Sequence, residues 1–281
     1  SPSNILTLEN GVLEERVNWL QQRLNLDDDE LSKVIREQPS ILGCSIPDNL
    51  EPTLDWLQQR LDLDSGALGK MIQTMPSILG CSIPDNLEPT LDWLQQRLDL
   101  DNAELGKMIQ TMPSILNLSI PDNLEPKLDW LQRRFDLDNT ALSKIIQVKP
   151  QILGYSIPDK MEPTLVWLQQ RLSLTDAELI ILIQKMPALL GLSVEANLEP
   201  TLNFYIEALG DEGEALALLI RVPSLFGSSL EKRLKPRLEE ARDAGLVIDA
   251  GCLRRIGLYT DKQWRTSLVS QAKKLSRRVP V

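Results

Sequence analysis

Basic side chains recur in this sequence at a constant interval of 37 residues. One row consists of arginines and the other of lysines: Arg23, Arg60, Arg97, Arg134 and Arg171, and Lys33, Lys70, Lys107 and Lys144. A guanidinium can hold a phosphate with two parallel hydrogen bonds, and an ammonium attracts the same group as a compact charge. The chemistry open to these rows is therefore non-covalent binding of a polyanion with regularly spaced charges.

A second concentration of positive charge lies at the C-terminal end. Residues 231–281 contain 13 Lys and Arg against 6 Asp and Glu, a balance of +7, which leaves −17 for residues 1–230 and −10 for the whole chain. The candidate phosphate-binding residues here are Lys232, Arg233, Lys235, Arg237, Arg254, Arg255, Lys273 and Lys274. This segment could hold a nucleic-acid backbone, or it could bind an acidic protein surface, including that of this chain.

Carboxylates recur beside the two basic rows and allow a second interpretation of them. Residues 46–82 contain two basic side chains against five acidic ones, namely Asp48, Glu51, Asp55, Asp62 and Asp64. On a helical projection Lys70 points away from its apolar stripe, whereas Arg60 borders its own. The lysines could therefore contact phosphate or only solvate the surface, and the arginines could contact phosphate or pair with carboxylates.

Catalytic chemistry finds little support in the composition. The chain has no histidine, and neither G-x-x-x-x-G-K-[ST] nor G-x-G-x-x-G occurs. Its three cysteines include Cys44 and Cys81 at one repeat position, where small buried residues are expected rather than a disulfide or a metal site. We expect no enzyme activity, no cofactor, no metal and, because long apolar runs are lacking, no membrane span. A monomer is expected.

The same 37-residue period organises the rest of the chain. Tryptophan recurs at Trp19, Trp56, Trp93, Trp130 and Trp167, and proline recurs at Pro39, Pro76, Pro113, Pro150 and Pro187. A strict period of this length predicts stacked units, none of which buries its apolar face alone. We interpret the tryptophans as packing between units, although an indole could also stack on an arginine or on a base.

The unit at 46–82 shows the predicted plan most clearly. Ser45-Ile-Pro-Asp48 is expected to cap a helix over about 46–61 that Pro52 bends, and Asp64 to cap a second helix over about 65–75. Pro76 ends that helix, and a short 3₁₀ turn then leads to Gly80. Two helices, at about 249–257 and 261–276, are predicted near the end, the second behind a capping box from Thr260 to Gln263.

These patterns predict an all-α protein, a curved α-solenoid of two-helix units. Residues 1–45 form an atypical N-terminal capping unit, and residues 230–281 form a basic C-terminal cap. Five repeats are expected between them, at 46–82, 83–119, 120–156, 157–193 and 194–229.

The repeated L-x-K-x-I-x-x-x-P-x-I-L followed by S-x-x-x-N-L-x-P-x-L-x-W-L resembles the repeat of the mTERF family, the mitochondrial transcription termination factor proteins. The segments SLEKRLKPRLEEARDAGL and YTDKQW are similar to that family's C-terminal elements. The resemblance covers roughly residues 20–245. It implies a solenoid of helical repeats, an organellar location, and binding of double-stranded nucleic acid in transcription or ribosomal RNA maturation.

Two functional hypotheses follow. The first is a non-catalytic protein that binds double-stranded DNA or RNA in a chloroplast or mitochondrion, acting in transcription termination or regulation. The second is an acidic solenoid scaffold that holds a protein partner in its groove. The chain begins at Ser1 without an arginine-rich leader, so we expect that any targeting peptide is not part of it.

Overall fold

The computed structural model describes residues 2–276, with side chains over residues 12–271. It confirms the all-α repeat architecture, and no β-strand occurs in the described chain. The first helices of successive units are α1 (Pro2–Leu24), α3 (Glu51–Arg60), α5 (Glu88–Leu98), α7 (Glu125–Phe135), α9 (Glu162–Arg171), α11 (Glu199–Leu209) and α13 (Lys235–Asp243). The second helices are α2 (Asp28–Glu37), α4 (Ser65–Thr74), α6 (Asn102–Thr111), α8 (Asn139–Val148), α10 (Asp176–Lys185), α12 (Glu212–Arg221) and α14 (Ala250–Leu258), and α15 (Asp261–Ser276) follows.

Short non-α turns connect these helices. A 3₁₀ turn follows each second helix up to α12, at Pro39–Gly43, Pro76–Gly80, Pro113–Asn117, Pro150–Gly154, Pro187–Gly191 and Pro223–Gly227. A π-helical turn precedes each first helix from α3 onward, at Ile46–Leu50, Ile83–Leu87, Ile120–Leu124, Ile157–Met161, Val194–Leu198 and Leu230–Leu234. Each repeat thus carries one more element than the sequence predicted.

The prediction of a single helix over 46–61 was wrong in its first turn. The N–H of Leu50 donates to the carbonyl of Ser45, five residues earlier, at 3.0 Å, and the N–H of Glu51 donates in the same way to Ile46. Pro52 has no N–H, and in a regular α-helix its ring would clash with the carbonyl four residues earlier. A wider π turn avoids that clash just before α3 begins.

The repeated serine caps this π turn, but its aspartate acts differently from the prediction. The N–H of Asp48 donates to the Ser45 hydroxyl at 3.3 Å, and that hydroxyl donates to the Asp48 carboxylate at 2.7 Å. The carboxylate therefore holds the capping hydroxyl in place instead of accepting from a free backbone N–H. The box predicted near the C-terminal end is confirmed, because the N–H of Gln263 donates to the Thr260 hydroxyl and the N–H of Thr260 donates to Oε1 of Gln263.

Residues in the left-handed backbone region end the first helices. Asp62, Asp99 and Asp136 have φ values of 50°, 51° and 46°, and Asn25 has 52°. Asp and Asn tolerate this region better than other side chains, because their short polar groups can bond locally. The chain can then turn tightly into the second helix.

The chain divides into two compact units, residues 1–154 and residues 155–281. The first contains α1 to α8 and the second contains α9 to α15. The division falls at the end of the 3₁₀ turn Pro150–Gly154, inside the predicted repeat 120–156.

The core of the first unit consists of the predicted apolar stripes. Leu54, Leu57 and Leu61 of one stripe and Leu68 and Ile72 of the next are all buried. Burying one such side chain contributes about 1.5–3 kcal/mol, so repeated stripes supply most of the stabilisation. The second helix of one repeat packs on the repeat before it, as α4 does on α1 and α2.

A glycine allows this close packing at two of the contacts, those of α4 and α6. A Cβ on Gly69 of α4 would lie 2.3 Å from the carbonyl oxygen of Leu24, and one on Gly106 of α6 would lie 2.4 Å from that of Leu61. No real Cβ approaches a backbone oxygen so closely. Glycine therefore lets α4 and α6 contact the C-terminal end of a first helix in the preceding repeats, whereas α8 has the buried Ser143 at this position.

Candidate nucleic-acid interface

The lysine row lies entirely in the first unit, on the second helices α2, α4, α6 and α8. Lys33, Lys70, Lys107 and Lys144 are all exposed, as their helical phase predicted. Lys33 is 3.9 Å from Glu37 of its own helix, whereas Lys70, Lys107 and Lys144 form no ion pair within the described chain. These three lysines therefore face solvent without a carboxylate partner in the described chain.

The row does not continue into the second unit. The corresponding position of α10 is Ile181, which is 49% exposed, and that of α12 is Ala217. A neutral side chain at this position attracts no phosphate. The periodic positive face is therefore confined to the part of the array that carries the four lysines.

The arginine row is engaged in contacts between repeats. Nη2 of Arg60 in α3 donates to Oδ1 of Asp92 and to Oε1 of Gln95 in α5, both at 2.8 Å. Nη1 of Arg60 is 3.5 Å from Oδ1 of Asn102, the first residue of α6. The Gln95 amide nitrogen also donates to Asn102, at 2.9 Å, so the four side chains form one network.

The same network recurs one repeat later. Nη2 of Arg97 donates to Asp129 and to Gln132 of α7, both at 3.0 Å, and Nη1 is 3.4 Å from Asn139 of α8. The Gln132 amide nitrogen donates to Asn139 at 3.1 Å. The side chain of Arg97 is only 19% exposed.

Of the other arginines in the first unit, Arg23 contacts the aspartate and glutamine that stand one repeat before Asp92 and Gln95, whereas Arg134 lies near an aromatic ring. Arg23 pairs with Asp55 at 2.5 Å and donates to Gln58 at 3.2 Å. Arg134 has its guanidinium carbon 6.0 Å from the ring of Phe135.

In the second unit, Arg171 donates to Glu212 at 2.5 Å and lies 3.6 Å from Glu199. The hydrogen bond to Glu212 is the main reason why the pKa of Arg171 is raised. Arg171 is thus paired with carboxylates, although its partners differ in kind from those of Arg60 and Arg97.

The repeat tryptophans are half-buried, and two of them pack edge to face on phenylalanines. Trp130 meets Phe135 edge to face, with ring centroids 6.3 Å apart, and Trp167 meets Phe226 in the same way. Nε1 of Trp167 also donates to Glu199 at 2.7 Å. Over the side chains that the structure describes, no arginine of the row stacks on a repeat tryptophan.

The C-terminal basic residues differ in exposure. Lys232, Arg233 and Arg254 are exposed, and Lys235 is exposed but pairs with Glu231 at 2.5 Å. Arg255 is half-buried and donates to Gln271 at 3.2 Å. The side chains of Lys273 and Lys274 lie outside the described residues. Among the C-terminal candidates whose side chains the structure describes, Lys232, Arg233 and Arg254 are therefore the best placed to contact a phosphate.

Arg237 is buried, which corrects its interpretation as a surface phosphate-binding residue. It is 4% exposed, and Nη1 donates to the carbonyls of Ile256 at 2.8 Å and Tyr259 at 2.7 Å. Nη2 pairs with Asp261, and this hydrogen bond lowers the pKa of that carboxyl. The guanidinium also lies 5.8 Å from the ring of Trp264. Arg237 therefore joins α13 to the end of α14 and the start of α15.

Lys127 is a buried basic residue that the sequence reasoning missed. Its ammonium donates to Asn123 at 2.7 Å and to the carbonyl of Leu153 at 2.6 Å, and burial lowers its pKa. Lys127 occupies the position that Thr53 and Thr90 hold in earlier repeats, and Arg237 occupies it in α13. The repeat alignment was the signal that could have identified both as buried, because that position is apolar-facing in every copy.

No feature of the described residues indicates a metal centre or a membrane segment. No group of three or more Cys, Asp or Glu side chains is arranged to hold a metal ion in the part of the chain that the structure describes. Within the same part, every helix is too short or too polar to cross a bilayer.

A comparison with models of protein families shows which family the chain belongs to. The model of the mTERF family matches residues 17–99 and 94–256, which include α2 to α13 and most of α14. Comparison with individually curated proteins gives no match. The matched region contains the repeated helix pairs, the lysine row and Arg237, and on this match the chain belongs to the mTERF family.

Proposed function

We propose that this protein binds double-stranded nucleic acid without catalysing a reaction on it, and that it acts in organellar transcription termination or regulation, or in ribosomal RNA maturation. The mTERF family in general comprises non-catalytic proteins that bind nucleic acid and regulate transcription termination. Its members are typically organellar. The location and the double-stranded target are part of the proposal.

The observation that supports duplex binding most directly is the row of Lys70, Lys107 and Lys144. These side chains are exposed, lie at one position of successive second helices, and form no ion pair in the described chain. Packed helices lie about 8–10 Å apart, so neighbouring lysines are spaced to meet phosphates at intervals along one strand of a duplex. The flexible lysine side chain can accommodate the remaining difference between the spacing of the helices and that of the phosphates.

The exposed C-terminal residues Lys232, Arg233 and Arg254 offer a second contact surface. None of the three forms an ion pair within the described structure, although Arg233 donates to the carbonyl of Gly257 at 3.4 Å and its charge also acts on the Asp261 carboxylate. Each phosphate contact contributes about 0.9 to the salt dependence of binding. Six contacts in total would give a slope of about −5 for log K against log salt concentration.

The experiment is a salt titration of duplex binding by fluorescence anisotropy, with DNA and RNA duplexes of equal length. The variant Lys70→Gln, Lys107→Gln, Lys144→Gln is expected to make the slope shallower by about 2 to 3. The matched control is Arg36→Gln, Lys149→Gln, Lys185→Gln, which removes the same charge from positions outside the row.

An equal loss of slope in both variants would show that the row is not the interface. Wild-type binding that does not depend on salt would contradict the proposal itself and favour the protein scaffold. The arginine pairs leave an acidic array in place, and such a surface suits a basic protein partner better than a phosphate backbone.

A further inference from the structure

We infer that Arg60 and Arg97 are positioning residues for the lysine row: each holds the two helices of the following repeat at a set spacing and does not itself contact phosphate. The inference rests on the proposed function, because it assigns a role to the arginines at the same interface. It concerns Arg60 with Gln95 and Asn102, and Arg97 with Gln132 and Asn139.

Each arginine contacts both helices of the next repeat. Arg60 lies at the end of α3, whereas Asp92 and Gln95 lie on α5 and Asn102 begins α6. Lys107 is on that same α6, about one and a half turns after Asn102. A shift of α6 relative to α3 therefore breaks the network and moves Lys107 relative to Lys70.

The second network does the same for the next lysine. Arg97 at the end of α5 contacts Asp129 and Gln132 of α7 and approaches Asn139, which begins the helix α8 that carries Lys144. Gln132 bonds both to Arg97 and to Asn139, so it joins the arginine to the start of α8. The first network thus fixes the position of Lys107 relative to Lys70, and the second fixes the position of Lys144 relative to Lys107.

Direct phosphate contact is the competing role, and the surroundings disfavour it. Asp92 and Asp129 lie within 3.0 Å of the guanidinium groups and are about half exposed, so they would repel an approaching phosphate. The guanidinium groups are themselves mostly covered. Their donors already point at acceptors of the next repeat.

A charge-neutral substitution separates the two roles. The variant Gln95→Ala, Gln132→Ala removes the glutamines that bridge each arginine to the second helix, leaves only the long direct contacts of 3.5 Å to Asn102 and 3.4 Å to Asn139, and keeps every charge in place. If the arginines position the lysines, we expect duplex affinity to fall three- to tenfold and the salt slope to become shallower by about 1, because one lysine no longer meets its phosphate. If the arginines contact phosphate themselves, affinity stays unchanged or rises.

The matched control is Gln59→Ala, Gln96→Ala, which changes two exposed glutamines, one following Gln58 on α3 and one following Gln95 on α5. These glutamines make no side-chain hydrogen bond in the described chain, so affinity should remain within twofold of the wild type. Circular dichroism melts fix a temperature at which all variants are fully folded, which removes stability as a cause of weaker binding.

The variant Arg60→Lys, Arg97→Lys is an independent test of the positioning role. It retains both positive charges but cannot reach three acceptors at once, so we expect it to weaken binding as much as the glutamine variant does. Near-wild-type affinity in the lysine variant, or in Gln95→Ala, Gln132→Ala, overturns the inference while the proposed function stands. Absence of salt-dependent wild-type binding overturns both.

Discussion

Replacement of Arg237 by methionine tests whether this buried guanidinium holds the C-terminal helices together. Methionine keeps most of the side-chain volume but donates no hydrogen bond, so the carbonyls of Ile256 and Tyr259 lose their side-chain donor. A buried polar group left unpaired costs about 1–3 kcal/mol, and the Tyr259 carbonyl is only partly buried. We expect the free energy of unfolding of this region to fall by about 2–4 kcal/mol.

Hydrogen exchange read by mass spectrometry over residues 250–271 measures this loss locally. Since about 1.4 kcal/mol corresponds to a tenfold change, protection of α14 and the start of α15 should fall by about 30- to 1,000-fold. The first unit, residues 1–154, should exchange as in the wild type, because Arg237 contacts none of its residues.

Arg254→Met is the matched control, since Arg254 is an exposed arginine of α14. Surface substitutions of this kind usually change stability by less than about 0.5 kcal/mol. If Arg237→Met behaves like Arg254→Met, the buried hydrogen bonds do not stabilise this region and the argument is refuted.

Three further predictions concern other buried or paired groups. Gly106→Ala places a Cβ 2.4 Å from the Leu61 carbonyl, so we expect a loss of about 1–3 kcal/mol in a urea titration, and an unchanged midpoint would mean that α6 shifts freely. Lys127→Thr restores the residue of neighbouring repeats and removes a buried ammonium whose pKa is lowered, so stability should rise by about 0.5–1.5 kcal/mol; a lower urea midpoint would show that the bond to Leu153 matters more. The lowered pKa of Asp261 means that its pairing stabilises the protein at neutral pH and that this contribution is lost as pH falls below about 4. Asp261→Asn should therefore flatten the loss of exchange protection between pH 5 and pH 3, and an unchanged pH profile would contradict this assignment.

The sequence predicted the helical repeats well because each local signal agrees with the next. The Ser45 cap, the buried Leu54 and Leu57 stripe and the terminating Pro76 all indicate the same two-helix unit. The π turn was missed because Pro52 only shows that a regular helix is disfavoured. Whether the chain then bends, breaks or widens depends on the packing around it.

The role of each basic residue was harder to predict than its position. Arg60 and Lys70 carry the same charge and the same period, yet one is covered by the next repeat and the other is exposed. The acceptors of Arg60 lie in another copy, 32 and 35 residues later in the chain, so no local pattern reveals them. Arg237 was counted with the basic tail because net charge does not distinguish a buried cation from an exposed one.

The networks of Arg60 and Arg97 also bear on how an array of this kind can change its length. Donor and acceptors belong to successive copies, with 32 residues between Arg60 and Asp92 and again between Arg97 and Asp129. Insertion or deletion of one whole copy preserves this offset at every junction, whereas an insertion of any other size displaces a carboxylate from its arginine. Arrays built on this junction are thus expected to grow and shrink by whole copies, and each added copy brings its own lysine to the exposed face.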